Sequence, residues 1–154
     1  MKKAIQIWEI LASLWVIYIF LWSLPYKFSW HEHTQFIFST IWEWIWTILW
    51  TGIGNAFSSY WAYVIGTWEL IVSIILILAF YFITKSQYSR SSRAFAIGWL
   101  WAMFLMIWAV FFHIFSPLWI EVNDDGWSLF KAAVSIVFIW AFLAVYNGIH
   151  IFKK

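Results

Sequence analysis

The stretch FFHIFSPLWIEVNDDGWSLF, residues 111–130, runs from apolar residues through a proline and three acids into a second apolar run. Only 10% of the chain is charged, so acids this close together need an explanation. Pro117 stops a helix because it has no backbone N–H and its ring clashes with the preceding turn. The sequence NDDG, 123–126, is typical of a turn that places an acid near the start of the next helix. The stretch therefore predicts two apolar helices joined by a short, water-facing loop.

The composition of the whole chain indicates that its solvent is a lipid bilayer. The 154 residues are 65% hydrophobic and 25% aromatic, whereas an ordinary soluble domain is about 45–50% apolar and about 25% charged. The chain has no cysteine, which excludes disulfides and thiolate metal sites within it. Its net charge of +2 does not indicate nucleic-acid binding. We expect a single membrane domain, residues 1–154, whose first partner is the bilayer.

Four segments are long and apolar enough to cross a bilayer core of about 30 Å, which takes about 20 helical residues. They are 4–24, which we interpret as a retained span, then 60–83, 94–115 and 127–151. A further apolar segment, 34–50, is too short for a comfortable span and favours a re-entrant or interfacial helix over a fifth crossing. The predicted fold is all-α, an integral membrane four-helix bundle with a short re-entrant or interfacial helix between spans one and two.

The basic residues orient this topology. Short loops rich in lysine and arginine stay cytoplasmic, and only Lys27 and Lys131 fall on the opposite side from the rest. Both termini are therefore predicted to be cytoplasmic. The residues on the cytoplasmic side are Lys2, Lys3, Lys85, Arg90, Arg93, Lys153 and Lys154.

Three segments resemble the DoxX-like family of four-helix bacterial membrane proteins. YVIGTWELIVSIILIL, 63–78, is similar to the second span of that family, in which a glutamate follows small residues and precedes an aliphatic run. YKF, 26–28, places a lysine just after the first span, as the family does. MFLMIWAVFFHIFSPLWIEVNDDGWSLFKAAVSIVF, 103–138, resembles the family's third span, external loop and fourth span.

The sequence also departs from the family pattern. Its first span has Glu9 and many tryptophans where arginine and glycines are usual, and Trp119 stands where a glycine is common. The resemblance implies a multi-pass protein of the bacterial inner membrane. It also implies an association with quinone-linked oxidation or membrane redox complexes.

Glu69 is the most informative polar residue. It lies nine residues into the second span, which at 1.5 Å per residue is about 14 Å and close to the middle of the membrane. An ionised carboxylate at that depth must be paired, hydrated or protonated. Two interpretations remain open: a proton-relay or ligand-binding group, or a glutamate that holds helices together through hydrogen bonds.

Other polar residues are candidates for the same site. Lys27 and His113 fall near the outer ends of their spans, and a cluster with Glu69, with Asp124 or Asp125 at its mouth, would form a polar pocket in the outer half of the bundle. Such a pocket could hold a quinone head group, a small anion or a proton pathway. The alternative is a snorkelling lysine and a hydrogen-bonded histidine at the interface.

Neither a metal site nor a catalytic motif is predicted. The spacing of HEH, 31–33, does not place two ligands on one helical face, and the chain has no thiolate to join them. Nucleotide-binding, zinc-protease and nucleophile-elbow motifs are missing from the sequence.

The tryptophans recur at intervals of seven residues, which is nearly two helical turns, so each set lies along one helix face. Such a face could pack against a protein partner, against another copy of the chain, or against a flat ligand such as a quinone or a carotenoid pigment. Packing against lipid or a neighbouring helix is the alternative. The sets are Trp8, Trp15 and Trp22; Trp61 and Trp68; and Trp101 and Trp108.

Two classes of function follow from the sequence. The first is an accessory, non-catalytic membrane subunit of a larger complex, linked to redox or quinone chemistry. The second is a small channel or proton-coupled transporter that uses Glu69.

Overall fold

The computed structural model describes residues 2–49, 56–119, 122 and 125–151, and the side chains of 7–48, 60–119, 122 and 125–143 among them. Five α-helices and no strand occur in these ranges, so the predicted all-α class is confirmed. The helices are α1 (Lys2–Phe28), α2 (Glu32–Leu49), α3 (Ala56–Thr84), α4 (Tyr88–Phe115) and α5 (Ser128–Ile151).

Three of the helices are long and apolar enough to cross a membrane by length and composition. The qualifying segments are Ile7–Phe28, Tyr60–Thr84 and Tyr88–Phe115, which contain most of the first three predicted spans. In α5, the apolar run with described side chains is the shorter Ser128–Leu143. Three such helices indicate a membrane protein.

Helix α1 continues past the predicted boundary at residue 24, through Pro25 to Phe28. Proline removes one hydrogen bond from the helical ladder, but the Ser29 N–H still donates to the Pro25 carbonyl at 2.9 Å. Membrane helices tolerate such an interruption because neighbouring groups satisfy the freed backbone. The extra turn matters because it carries Lys27 on a helix.

Helix α3 holds the described helices together. It packs against α1, α2 and α4, while α4 also packs against α5, and α1 contacts α5. The α3–α4 contact is close because residue 98 is a glycine, where a Cβ atom would lie 2.6 Å from Leu76 Cδ2. The most deeply buried apolar side chains at the centre are Val16, Phe20, Val72, Leu76, Ala102 and Ile136.

Helix α2 covers 32–49, close to the predicted segment, and lies beside the ends of α1 and α4. The Thr34 hydroxyl donates to the Tyr26 carbonyl at 2.9 Å. The ring of Trp44 meets the rings of Phe111 and Phe112 edge-on, with centroids 6.2 Å apart in both pairs. This end of the structure also carries Lys27 and His113.

Candidate functional site

A buried ion pair joins α1 to α3. The Lys27 ammonium donates to Glu69 Oε2 at 2.6 Å and to the Ser23 hydroxyl at 3.0 Å. Ser23 Oγ also lies 2.7 Å from Glu69 Oε2 and 2.8 Å from the Phe20 carbonyl, so its single proton can go to only one of them at a time. We call Ser23, Lys27 and Glu69 the interior triad.

Lys27 and Glu69 were predicted as site residues from the sequence, whereas Ser23 was not. A signal was present, because residues four apart lie on the same helix face and Ser23 is four residues before Lys27. Serine is common in apolar helices, however, where its hydroxyl usually bonds to the carbonyl of the preceding turn. Ser23 is within reach of its own Phe20 carbonyl, so only its proximity to Glu69 identifies its second role.

The Glu69 carboxylate of the triad is buried, and Lys27 and Ser23 are half-buried. The side chain of Glu69 is 4% exposed and that of Lys27 16%. Burying charge is costly unless the charges are paired and hydrogen-bonded, and here one carboxylate oxygen lies within hydrogen-bond distance of two donors. A Cβ at Gly66 would lie 3.4 Å from Lys27 Cβ, so the missing side chain leaves room for the lysine stem to run inward from the helix end.

His113 is buried, but its partner is the backbone of the α4–α5 loop. Its Nδ1 lies 2.8 Å from the Trp119 carbonyl, which can only accept, so this nitrogen carries a proton. The Phe130 ring meets the imidazole with centroids 5.7 Å apart. The histidine therefore ties the end of α4 to the loop and to α5.

The described contacts of His113 do not include a member of the triad. Helices α3 and α4 run antiparallel, since Trp68 stacks on Trp101 whereas Phe80, later in α3, meets the earlier Phe95. Glu69 is consequently level with the middle of α4, and His113 lies roughly ten residues, or about 15 Å, further along. Lys27 and Glu69 come together, whereas His113 hydrogen-bonds to the α4–α5 loop and contacts Phe130 of α5.

Asp125 lies at the start of α5 and caps that helix. Its carboxylate accepts from the backbone N–H groups of Val122, Trp127 and Leu129 at 3.2, 2.9 and 3.0 Å, and from the Ser128 hydroxyl at 3.2 Å. Burial alone would raise the pKa of this carboxyl, but these donors together lower the pKa below its ordinary value. The predicted turn chemistry of an acid before the helix is confirmed for Asp125, and Asp124 lies outside the described residues.

The tryptophans of α1 point outward. Trp8, Trp15 and Trp22 are exposed, and Tyr18 stacks between the last two with centroids 5.9 and 6.1 Å apart. Trp15 Nε1 donates to the Ser135 hydroxyl of α5 at 2.9 Å. An open surface groove of about 440 Å³ lies on the same helix, and its lining residues are Tyr18, Leu21, Trp22, Pro25 and Tyr26.

A second outward face crosses from α3 to α4. Trp68 and Trp101 stack almost in parallel, with centroids 4.7 Å apart and planes 9° apart. Edge-on contacts at 6.0, 6.4 and 5.6 Å then continue the row along α4. Trp61, also predicted to lie on a tryptophan face, is half-buried. We call the exposed row of Trp68, Trp101, Phe104, Trp108 and Phe111 the α3–α4 aromatic face.

Histidine and acidic side chains do not form a metal site in the described ranges. In those ranges, no group of three or more His, Cys, Asp or Glu residues is placed to hold a metal ion. The rings of His31 and His33 stack on each other with centroids 5.3 Å apart, and both residues are exposed.

Comparison of the chain with protein-family models, with curated proteins and with solved structures finds no match in any of the three. The DoxX-like resemblance therefore rests on the quoted segments and stays a prediction.

Proposed function

We propose that the chain is an accessory, non-catalytic membrane subunit that binds a protein partner through the α3–α4 aromatic face. The observation that carries this proposal is the outward-facing stack of Trp68 on Trp101. Tryptophan concentrates where the membrane meets water, but Trp68 adjoins the deeply placed Glu69, and Trp101 lies at the middle of α4. A rigid aromatic row at that depth offers a large contact area to a partner helix at low cost in side-chain entropy.

The interior favours this proposal over the alternative of a small channel or proton-coupled transporter. A pathway for ions or protons uses polar groups that line a water-filled cavity. Here Glu69 already accepts from Lys27 and lies against Ser23, and every buried side-chain nitrogen and oxygen in the described residues has a hydrogen-bond partner. The triad therefore acts as an internal connection between α1 and α3.

The topology that we propose is the four-span arrangement in a bacterial inner membrane, with both termini cytoplasmic and α2 interfacial or re-entrant. The contacts of α2 with Tyr26, Phe111 and Phe112, at the ends of α1 and α4, support its position at the membrane boundary. Trp119 has a φ of +58°, a conformation that favours glycine, which is the residue common there in DoxX-like proteins. That resemblance also supports a redox- or quinone-linked complex as the setting.

Gentle purification from the source membrane, with mass spectrometry of co-eluting proteins and small molecules, tests the proposal. We expect a stoichiometric protein partner that is lost in the Trp68→Leu/Trp101→Leu variant. The matched control is Trp22→Leu, which removes an equally large exposed side chain from α1. A pure homo-oligomer, or a partner that survives the double substitution, would contradict the proposal. A quinone or carotenoid lost with the double substitution would assign the face to a flat ligand instead.

A further inference from the structure

The turn between α3 and α4 is closed by its own backbone. Ser86 adopts a left-handed φ of +56°, its N–H donates to the Ile83 carbonyl at 2.9 Å, and the Gln87 N–H donates to the Phe82 carbonyl at 2.8 Å. This pair of bonds around a left-handed residue is the Schellman arrangement that ends many helices. The three residues between the helices are therefore held in one conformation.

This turn concentrates positive charge. Lys85, Arg90 and Arg93 lie in or next to it, and the sequence has no Asp or Glu from residue 70 to residue 120. In the described structure, Arg90 Nη1 donates to the Gln87 amide oxygen at 2.9 Å and Arg93 Nε to the Ser89 carbonyl at 3.4 Å. Both of these acceptors are uncharged, so neither hydrogen bond neutralises the charge of its guanidinium group.

Arg90 and Arg93 also line an open concavity. It has a volume of about 590 Å³ and lies where the turn meets the first turns of α4. Three hydroxyls, one amide and two guanidinium groups line it as possible donors. Its lining residues are Ser86, Gln87, Tyr88, Ser89, Arg90 and Arg93.

We propose that this concavity binds the phosphate of an anionic phospholipid headgroup. A turn between two membrane helices lies at headgroup level, and the exposed Tyr81 and Tyr88 on either side are residues that favour that level. Guanidinium groups bind phosphate through paired N–H donors. The proposal depends on α3 and α4 crossing the membrane and does not depend on the partner-binding function.

A phospholipid fits the site better than a free anion because the headgroup is already held at the right depth. The acyl chains can lie along the exposed aliphatic side chains of α3, such as Ile74, Ile77 and Leu78, while the phosphate meets Arg90 and Arg93. A basic residue near an anionic membrane surface strengthens binding by about fivefold. Two guanidinium groups acting together should therefore account for a factor of about 30.

Native mass spectrometry of the purified full chain, titrated with phosphatidylglycerol or phosphatidylcholine, tests the proposal. We expect phosphatidylglycerol to bind at least about 10-fold more tightly, and the Arg90→Gln/Arg93→Gln variant to bind it about 30-fold more weakly. The matched control is Lys131→Gln, a basic residue at the start of α5 that hydrogen-bonds to the Gly126 carbonyl, and its affinity should stay within about twofold of the unaltered chain.

The proposal would be overturned by equal affinity for the two lipids, by unchanged binding in the double variant, or by displacement of the lipid by an equal concentration of inorganic phosphate. The last would show a site for a free anion. If the double variant does not fold, the unaltered chain still decides the matter. Salt at about 1 M shortens the Debye length to about 3 Å, and phosphatidylglycerol binding that does not weaken there would contradict an electrostatic site.

Discussion

Removing Lys27 should destabilise the protein far more than neutralising Glu69. In Lys27→Met the Glu69 carboxylate keeps its buried position but loses the ammonium at 2.6 Å. Removing one partner of a buried ion pair typically costs about 3–5 kcal/mol. The lysine side chain is 16% exposed, so water can partly replace it, and we expect a loss of about 3 kcal/mol, at the lower end of that range.

Glu69→Gln leaves a smaller defect because the amide oxygen can still accept from Lys27 and Ser23. The lysine, which is near the helix end, can also extend toward water. We therefore expect Glu69→Gln to fold and to lose about 1 kcal/mol, the value of a typical hydrogen bond. The double variant Lys27→Met/Glu69→Gln should lose about 1–2 kcal/mol, less than Lys27→Met alone, because no charge stays buried without a partner.

Unfolding in mixed micelles with increasing dodecyl sulfate measures these free energies. The double-mutant cycle should give a coupling of at least about 2 kcal/mol between the two positions. Lys131→Met, which removes an exposed lysine at the start of α5, is the control and should change stability by less than about 1 kcal/mol. Additive losses in the cycle, or a loss below about 1 kcal/mol for Lys27→Met, would refute a buried ionised pair.

Three further changes test separate features by the same unfolding assay. Gly98→Ala should cost about 1–3 kcal/mol, because the new Cβ would lie 2.6 Å from Cδ2 of the fully buried Leu76; an unchanged midpoint would show that the helices separate freely. Ser86→Gly should raise the free energy of unfolding by about 0.5–1 kcal/mol, since glycine adopts a φ of +56° without strain; a loss would show that the Ser86 side chain stabilises the turn. Asp125→Asn should cost about 0.5–1 kcal/mol at neutral pH. The pKa of Asp125 is lowered in the folded protein, so the stability that its carboxylate adds is present above the unfolded pKa and is lost as pH falls through the folded pKa. At that low pH the unaltered chain and Asp125→Asn should unfold alike. A difference in unfolding free energy that stays constant with pH would contradict this account.

Local sequence features predicted the helices well and their ends less well. Apolar runs of about 20 residues need no knowledge of their neighbours to be recognised as membrane helices, and NDDG predicted the cap that Asp125 makes. The first span was predicted to end at residue 24, but the helix absorbs Pro25 and continues to Phe28. The start of α4 at Tyr88 was also missed, because its first turns are polar and lie outside the apolar run.

The candidate site was predicted in part. Glu69 and Lys27 stand out in the sequence because a charge inside an apolar span is costly and needs a partner. The expected grouping with His113 does not occur among the described contacts, in which His113 hydrogen-bonds to the α4–α5 loop instead. Its acceptor is a backbone carbonyl at Trp119, and every residue has such a carbonyl, so no sequence pattern marks it.

The sequence by itself determined the solvent, the helical class and the identity of the interior charges, because hydropathy, length and the cost of burying charge are properties of individual segments. The tertiary structure alone decided which side chains meet. The approach of α1 to α3 brings Ser23 to Glu69, and that of α4 to α3 brings Trp68 onto Trp101. These pairings depend on the relative shift and rotation of two helices, which arise from packing around small residues such as Gly66 and Gly98 and are not encoded in either helix alone.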